Sequence, residues 1–216
     1  MVRGFVLVIV FIVVLVFSVS VHEAAHGWAA YQFGDPTAKE LGRITLNPIK
    51  HIDLFFSIIL PAVLYLTAGF VFGGAKPVPF DPMRFRYGTN VKKAIMWVAA
   101  AGPISNFILA VIGLVFAQIA LTWELHSLIY AAFFALYQVN LLLGLFNLLP
   151  IPPLDGAKVL AGMLPNHLAV KIYQAERYAM LFIMLLIMTP LSRFLFVPYT
   201  FIDNHLRALV SVIFGS

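Results

Sequence analysis

Residues 5–26 read FVLVIVFIVVLVFSVSVHEAAH, an apolar run that leads directly into His22-Glu23-Ala24-Ala25-His26. Only Ser18 and Ser20 interrupt the run before His22. Continued to Phe33, the segment would extend roughly 43 Å as an α-helix at about 1.5 Å per residue, which is enough to cross a bilayer with some tilt. A signal peptide would instead end in small residues at a cleavage site, so we expect a first membrane helix here.

The composition of the whole chain also indicates an integral membrane protein. Of its 216 residues, 62% are hydrophobic and only 11% are charged, whereas soluble domains are nearer half apolar and a quarter charged. The absence of cysteine excludes disulfides, thiolate metal ligands and a cysteine nucleophile. The net charge of +5 is explained by basic loops on the cytoplasmic side of a membrane, so we expect no nucleic-acid partner.

Further apolar stretches predict an all-α membrane protein, a polytopic helical bundle of about five to six hydrophobic segments. Loops rich in Lys and Arg flank the second stretch, and Pro150, Pro152 and Pro153 break the fourth. The last stretch is weakened by charged residues. The six stretches are residues 5–33, 54–72, 94–121, 128–149, 178–191 and 194–215.

The first helix carries a pattern with metal chemistry. His22 and His26 share one helix face, one turn apart, and two imidazoles at this spacing can bind one Zn²⁺ at about 2.0–2.1 Å each. Glu23 lies at the edge of that face and can take a proton from an attacking water. This is the H-E-x-x-H pattern of zinc hydrolases. Ionisable groups are costly at membrane depth, so their cluster indicates a site, and the alternative is a helix that has reached the membrane interface.

A hydrolytic zinc site needs a third protein ligand, and Asp155 is the best candidate. It follows a long apolar helix and a proline-rich break, and it precedes Gly156. Prolines free backbone groups at depth, which is tolerated beside a cavity or packed protein. We therefore expect Asp155 to be a ligand on irregular backbone, with a helix-capping Asp in an interfacial loop as the alternative.

Two motifs, His22-Glu-Ala-Ala-His26 and Asn147-Leu-Leu-Pro-Ile-Pro-Pro-Leu-Asp155-Gly156, together resemble the site-2 protease family of membrane-embedded zinc metalloproteases. The resemblance covers about residues 5–160 and is to the compact prokaryotic branch without PDZ or CBS domains. Phe56 departs from it, since relatives are expected to carry Gly there. Further matching segments are Gly34-Asp35-Pro36, residues 42–48, His51-Ile52-Asp53, Lys76-Pro77-Val78 and residues 101–106.

The resemblance implies roles for particular residues. His22, His26 and Asp155 would bind a Zn²⁺ cofactor, Glu23 would be the general base, and Asn147 would contact the substrate or transition state. Ala101-Gly102-Pro103 and Asn106 are expected to pack one helix closely against the catalytic pair, and for Asn106 a hydrogen bond or substrate contact within the site is the alternative. His51 is expected at the membrane interface, with an accessory ligand or a gate as the alternative. Residues 73–78 resemble a family loop near the substrate path, whose edge would pair with an unwound substrate.

The resemblance also implies an activity, which is intramembrane zinc endopeptidase action on transmembrane segments of other proteins during regulated proteolysis. Partners would be a transmembrane protein substrate and the lipid bilayer, while the oligomeric state stays open. We expect one integral-membrane domain over residues 1–216, with a catalytic core at about 5–160 and C-terminal helices at about 170–216. A catalytically silent scaffold and a metal-ion transporter are the rival functions, and the intact motif and few acidic residues argue against them.

The metal also sets a condition on topology. His22, His26 and Asp155 must lie at one depth, so their helices should run parallel, with an odd number of crossings between them. Residues 54–72 are therefore expected to form a re-entrant hairpin or to lie against the core. Most Lys and Arg residues then share one side, which makes that side cytoplasmic, the N-terminus external and the zinc nearer the cytoplasm, in the plasma membrane of a prokaryote.

Overall fold

The computed structural model describes residues 2–59, 74–179 and 193–214, together with positions 63, 66, 181, 182 and 185. Within these residues the regular secondary structure is entirely helical, as predicted. Short 3₁₀ turns lie at Pro48–Lys50, Pro82–Arg84 and Glu176–Tyr178, and a π-helical turn lies at Leu54–Ile59. The α-helices are α1 (Val2–Gln32), α2 (Thr37–Glu40), α3 (Val91–Thr122), α4 (Ser127–Asn147), α5 (Asp155–Met163), α6 (Asn166–Ala175) and α7 (Arg193–Phe214).

Three helices among the described residues are long and apolar enough to cross a membrane, namely Gly4–Gln32 within α1, Val91–Thr122 and Ser127–Asn147. They correspond to the first, third and fourth predicted stretches, and they make the chain a multi-pass membrane protein. Helix α7 corresponds to the last predicted stretch. Most of the predicted stretch 178–191 lies outside the described residues.

Helix α3 is the centre of the bundle, packing against α1, α4 and α5, with α7 against α3 and α4. His22 contacts Asn106 and His26 contacts Val98, so α1 and α3 run antiparallel. Asn140 of α4 contacts Asn106 of α3, and the earlier residue Tyr137 lies against the later residue Gly113, so α3 and α4 run antiparallel. Consequently α1 and α4 are parallel, as the shared metal site required.

Small residues allow this close packing. A Cβ built on Gly113 would lie 2.6 Å from the backbone nitrogen of Tyr137, closer than real Cβ contacts permit, so α3 and α4 approach at backbone distance there. Helix α7 is attached by polar contacts: the Tyr137 hydroxyl donates to Asp203 Oδ1 at 2.6 Å, and Arg207 Nε donates to the same oxygen at 2.8 Å. These contacts give Asp203 and Arg207 of α7 partners within the bundle.

The segments that flank residues 58–73 meet each other. The Lys76 N–H donates to the His51 carbonyl oxygen at 2.8 Å, and Ser57 Oγ donates to the Gly74 carbonyl oxygen at 2.7 Å. The stretch therefore leaves and returns at one end of the bundle, as a hairpin over residues 54–72 requires. The hairpin itself lies largely outside the described residues and stays a prediction.

The basic loops also gather at this end of the bundle. The Arg86 N–H donates to the Phe33 carbonyl oxygen at 2.9 Å, which joins the loop before α3 to the end of α1. Lys92 Nζ donates to the Leu164 carbonyl oxygen at 2.6 Å, which joins the start of α3 to the end of α5. The predicted grouping of positive charge on one side is therefore present among the described residues.

Candidate metal centre

Three predicted side chains converge where α1, α3 and the start of α5 meet. His22 Nε2 and His26 Nε2 are 3.0 Å apart, and Asp155 Oδ2 lies 3.2 Å from the first and 3.3 Å from the second. Among the described residues, this is the group of His, Asp and Glu side chains that could hold a metal ion. All three are buried or nearly so.

The other nitrogen of each imidazole has an acceptor of its own. His22 Nδ1–H donates to Asn106 Oδ1 at 2.6 Å, and His26 Nδ1–H donates to the Val98 carbonyl oxygen at 2.7 Å. In a neutral imidazole the proton then lies on Nδ1 and the lone pair on Nε2, so both lone pairs face the Asp155 carboxylate. Three electron-rich atoms converging on one point need a cation between them, and this arrangement is the usual one for metal-binding histidines.

The spacing of the three atoms also fits zinc. A tetrahedral site with metal–ligand distances of about 2.0–2.1 Å has ligand–ligand edges of about 3.3 Å. The observed edges of 3.0, 3.2 and 3.3 Å approach that value. A fourth position is left for a water or a substrate oxygen, as hydrolytic zinc sites require.

Asp155 is the first residue of α5, directly after the irregular segment 148–154, rather than within irregular backbone as expected. A Cβ on Gly156 would collide with the backbone of Leu148, so only Gly lets the new helix start against the end of α4. Burial opposes ionisation of the Asp155 carboxyl, and a cation held between Asp155 and the two imidazoles would favour its charged form. The anionic form is the one that binds metals.

Glu23 lies in the same pocket, which has a volume of about 180 Å³. Its Oε2 accepts a hydrogen bond from the Val78 N–H at 2.8 Å, which leaves Oε1 for other chemistry. The polar side chains that line the pocket are those of His22, Glu23, His26, Asn147, Asp155 and Lys158.

Pro77 and Val78 line this pocket, and Arg43 bonds to the backbone of the segment that carries them. The buried Arg43 guanidinium donates through Nη2 to the carbonyl oxygens of Lys76, at 2.6 Å, and Pro77, at 3.3 Å. The segment that reaches Glu23 through Val78 is therefore tied to the loop that follows α2. The resemblance of residues 73–78 to a family loop did not predict the hydrogen bond between the Val78 N–H and Glu23.

One expectation needs correction. Asn106 does more than pack, because its side chain is fully buried and bonded to both His22 and Asn140. His51 is 3% exposed and its Nε2–H donates to the Thr45 carbonyl oxygen at 2.9 Å, while its depth at the membrane interface stays a prediction. Asn147 lines the pocket, its Nδ2 donates to the Leu143 carbonyl oxygen at 3.0 Å, and its contact with substrate stays a prediction.

Sequence reasoning missed Asn140 and Lys158 at the site, and around Gly102 it expected close helix packing without naming the contact with the imidazoles. A Cβ on Gly102 would lie 2.5 Å from His26 Nε2 and 2.6 Å from His22 Nε2, so this glycine gives the imidazoles their room. Asn140 bonds to Asn106, and Lys158 lines the pocket. The available signals were a lone Asn in the apolar run YQVNLLL and a Lys one helical turn after Asp155.

Comparison with known proteins adds independent information. A family model described as Peptidase family M50 matches residues 10–123 and 118–191. Over 193 residues the chain is 39% identical to a Bacillus subtilis protein named "Putative zinc metalloprotease YwhC", covering 87% of this chain and 84% of the relative.

Two mycobacterial proteins, each named "Putative zinc metalloprotease Rip2", are also similar. The protein from Mycolicibacterium smegmatis is 32% identical over 202 residues, covering 90% of this chain and 74% of the relative. The protein from Mycobacterium tuberculosis strain H37Rv is 30% identical over 175 residues, covering 80% and 64%. No solved structure matches the chain.

Proposed function

Because the chain belongs to peptidase family M50, the site-2 protease family, and is a multi-pass membrane zinc metalloprotease, we propose that it cleaves membrane-spanning segments of other proteins with Glu23 as general base. The observation that supports this most directly is the convergence of His22 Nε2, His26 Nε2 and Asp155 Oδ2 within 3.3 Å of one another. Glu23 opens into the same pocket, beside helices long enough to span a bilayer.

His22, His26 and Asp155 would hold the ion. Zinc, when bound, supplies Lewis-acid activation of the attacking water and of the scissile carbonyl. Glu23 takes a proton from that water on Oε1, while Oε2 stays bonded to the Val78 N–H. The same carboxyl then delivers the proton to the departing amide nitrogen, so that the products are a carboxylate and an amine.

The substrate has to lose its helical hydrogen bonds before its peptide bond can reach the pocket. An unwound strand needs new partners at membrane depth, where unsatisfied backbone groups are costly. We propose that residues 74–78 supply them by edge pairing, through the main-chain groups that are not already bonded to His51, Ser57, Arg43 or Glu23, and that Asn147 contacts the bound peptide from the pocket wall. Asn106 is a weaker candidate for substrate contact because His22 and Asn140 already occupy its amide.

The test is Glu23→Gln in purified full-length protein, reconstituted into vesicles of phosphatidylethanolamine and phosphatidylglycerol. The probe is a tagged single-span protein with Gly and Pro in its apolar segment. We expect Glu23→Gln to keep one zinc per chain and to lose cleavage, because the amide cannot take the proton. Glu124→Gln, in the exposed turn between α3 and α4, should cleave at the wild-type rate. Cleavage by Glu23→Gln at the wild-type rate would refute the general-base role.

A catalytically silent scaffold predicts a different outcome. Such a protein would bind the probe without cutting it in the wild type as well as in Glu23→Gln. A uniform polyleucine span should be a poor substrate, because it does not unwind. Cleavage confined to soluble parts of the probe would contradict an intramembrane action.

We further propose that the N-terminus is external and the metal lies nearer the cytoplasm of a prokaryotic cell. The chain has no cysteine, so single cysteines report sidedness directly. A membrane-impermeant thiol reagent applied to whole cells should label Glu124→Cys but not Lys50→Cys, and permeabilised cells should label both. The reverse pattern would overturn the orientation and leave the chemistry intact.

A further inference from the structure

A chain of buried hydrogen bonds runs away from His22 through three helices. Asn106 on α3 accepts from His22, and Asn106 Nδ2 donates to Asn140 Oδ1 on α4 at 2.8 Å. Asn140 Nδ2 donates back to Ser18 Oγ on α1 at 2.7 Å. We call His22, Asn106, Asn140 and Ser18 the polar relay. We propose that Asn140 and Ser18 are positioning residues, which act through Asn106 to hold His22 with Nε2 free for zinc.

The direction of the relay is fixed at its far end. Asn140 Nδ2 also donates to the Leu136 carbonyl oxygen at 2.8 Å, and a backbone carbonyl can only accept. The amide nitrogen of Asn140 therefore faces Leu136 and Ser18, and its oxygen must face Asn106. Asn106 then presents its own nitrogen to Asn140 and its oxygen to His22.

The Ser18 hydroxyl reinforces this direction. It donates to the Val14 carbonyl oxygen at 2.7 Å, so its oxygen is left to accept from Asn140. An amide turned the other way would place two oxygens, or two N–H groups, against each other at both contacts. The relay therefore has one consistent arrangement, and that arrangement requires the proton of neutral His22 to be on Nδ1.

The surroundings make the arrangement costly to lose. Ser18, Asn106 and Asn140 are each fully buried, in helices that are otherwise almost wholly apolar. At such buried positions, each lost bond leaves a polar group without a partner, and a partly satisfied network is worse than none. Fixing the tautomer and orientation of a ligand is what outer hydrogen-bond partners do at metal sites, where their loss typically weakens metal binding by about 10–100-fold.

The competing explanation is that these hydrogen bonds only hold the helices together and do not position His22. A matched pair of serines in α1 distinguishes the two explanations. Ser20, like Ser18, is buried in α1 and donates to the carbonyl oxygen four residues before it, at 2.8 Å. It has no part in the relay. Ser18→Ala and Ser20→Ala thus remove the same group from the same helix, one inside and one outside the relay.

The first measurement is zinc affinity of the purified full-length protein by competition with a chelator, a readout that does not depend on turnover. We expect Asn140→Leu to bind zinc at least about tenfold more weakly, the low end for a lost outer partner. Ser18→Ala should weaken binding in the same direction, Ser18→Thr should restore it, and Ser20→Ala should stay within about twofold of wild type. Equal affinities in Ser18→Ala and Ser20→Ala, with Asn140→Leu unchanged, would overturn the proposal.

The second measurement addresses the tautomer itself. In metal-free protein labelled with ¹⁵N-histidine, the His22 signals, assigned by their loss in His22→Gln, should report a proton on Nδ1 in wild type and a mixture in Asn140→Leu. A merely structural role for Asn140 would not move these signals. If Asn140→Leu does not fold, Ser18→Ala supplies the same comparison, and an unmixed signal there overturns the proposal.

The inference rests on the proposed zinc ligands, and His26→Ala keeps the two questions apart. If His26→Ala binds zinc as tightly as wild type, the ligand assignment fails. If His26→Ala loses zinc while Asn140→Leu and Ser18→Ala keep wild-type affinity and tautomer, the ligands stand and only the relay fails.

Discussion

Two regions of the molecule enclose the candidate metal centre, and they are built from different hydrogen bonds. The helix wall, made of the polar relay and Gly102, uses contacts between side chains of α1, α3 and α4. The loop layer, residues 35–51 and 74–85, uses side chains that bind main-chain groups, such as Arg43 to the carbonyl of Lys76. The wall holds the proposed metal ligand His22, and the layer holds Glu23 through the Val78 N–H.

This difference arises because the backbone N–H and C=O groups of the two regions find their hydrogen-bond partners in different places. In the helix wall the main-chain groups are paired within helices, so only side chains remain to join one helix to the next. In the loop layer residues 74–81 have no regular structure, and their free N–H and C=O groups take side-chain partners. We therefore expect zinc binding to depend on the helix wall and proton transfer by Glu23 to depend on the loop layer. Mutations in one region should then affect one of these properties and leave the other unchanged.

The largest effect is expected from Gly102→Ala in the helix wall. The new Cβ would lie 2.5–2.6 Å from imidazole atoms of His22 and His26, so both rings would have to move away from the metal position. We expect zinc affinity to fall by more than about 100-fold, beyond the range for a lost outer partner. Zinc content after dialysis against a weak chelator measures this.

Gly113→Ala is the matched control for that substitution. It lies in the same helix, and its Cβ would meet the Tyr137 backbone nitrogen at 2.6 Å, far from the metal ligands. It should lower the thermal unfolding temperature and keep one zinc per chain. Loss of zinc in both variants, or in neither, would contradict the claim that zinc binding depends on the helix wall and not on helix packing elsewhere in the bundle.

The sequence predicted the parts of the helix wall that depend on local spacing. His22 and His26 face one point because residues four apart share a helix face, and Asp155 follows the proline break that ends α4. The parallel course of α1 and α4 followed from requiring one depth for all three side chains. These predictions needed only helix periodicity and the geometry of a zinc site.

Contacts between distant segments could not be predicted in the same way. The bond between Ser18 and Asn140 joins residues 122 positions apart, and it depends on the rotation and depth of two helices that no local pattern fixes. Likewise, nothing in the local sequence distinguishes Arg43 from the other basic loop residues. Its role depends on its contact with the carbonyl oxygens of Lys76 and Pro77, more than 30 positions away. The burial of His51 and its bond to the Thr45 carbonyl oxygen were likewise not visible in the local sequence.

In the loop layer, Arg43→Met should lower the turnover of zinc-loaded enzyme by about 10–100-fold, because small displacements of a catalytic group cost about that much. The Met side chain keeps the buried apolar stem but cannot bond the carbonyls of Lys76 and Pro77. Zinc affinity should stay at the wild-type value. Arg86→Met, at an exposed position in the same region, should leave both quantities unchanged. Zinc loss in Arg43→Met would show that the two regions are not independent.

A smaller effect is expected when only the bond to Glu23 is removed. Val78→Pro deletes the N–H that donates to Oε2, and a hydrogen bond to a charged group contributes about 1.5–3 kcal/mol. We expect the lower end, about a tenfold loss of turnover per zinc-loaded enzyme, because water can replace the donor. Val78→Ala keeps the N–H and should retain most activity. Equal turnover in the two variants would mean that Glu23 needs no support from the loop layer.

The smallest effect should come from Asp35, which attaches the loop layer to the end of α1 without touching the metal centre. Its carboxylate accepts from the Thr37 N–H at 2.9 Å and from the Asp81 N–H at 2.6 Å. Burial opposes ionisation, but a hydrogen bond from the Thr37 hydroxyl and the bonds from these two N–H groups outweigh it and hold the pKa of Asp35 below its ordinary value. The ionised carboxylate therefore stabilises the fold above the unfolded pKa of about 4, and that contribution is lost as the pH falls further.

Asp35→Asn should consequently lower the thermal midpoint of metal-free protein at pH 7, by an amount equivalent to about 1–3 kcal/mol for the weakened bonds. Below pH 4 the wild-type carboxyl is progressively protonated, so the difference between the two proteins should shrink. Zinc affinity and turnover at pH 7 should not change, because neither Glu23 nor the helix wall depends on this attachment. A change in turnover at constant zinc content would show that the loop layer acts as one piece, with Asp35 and Arg43 jointly placing Val78 against Glu23.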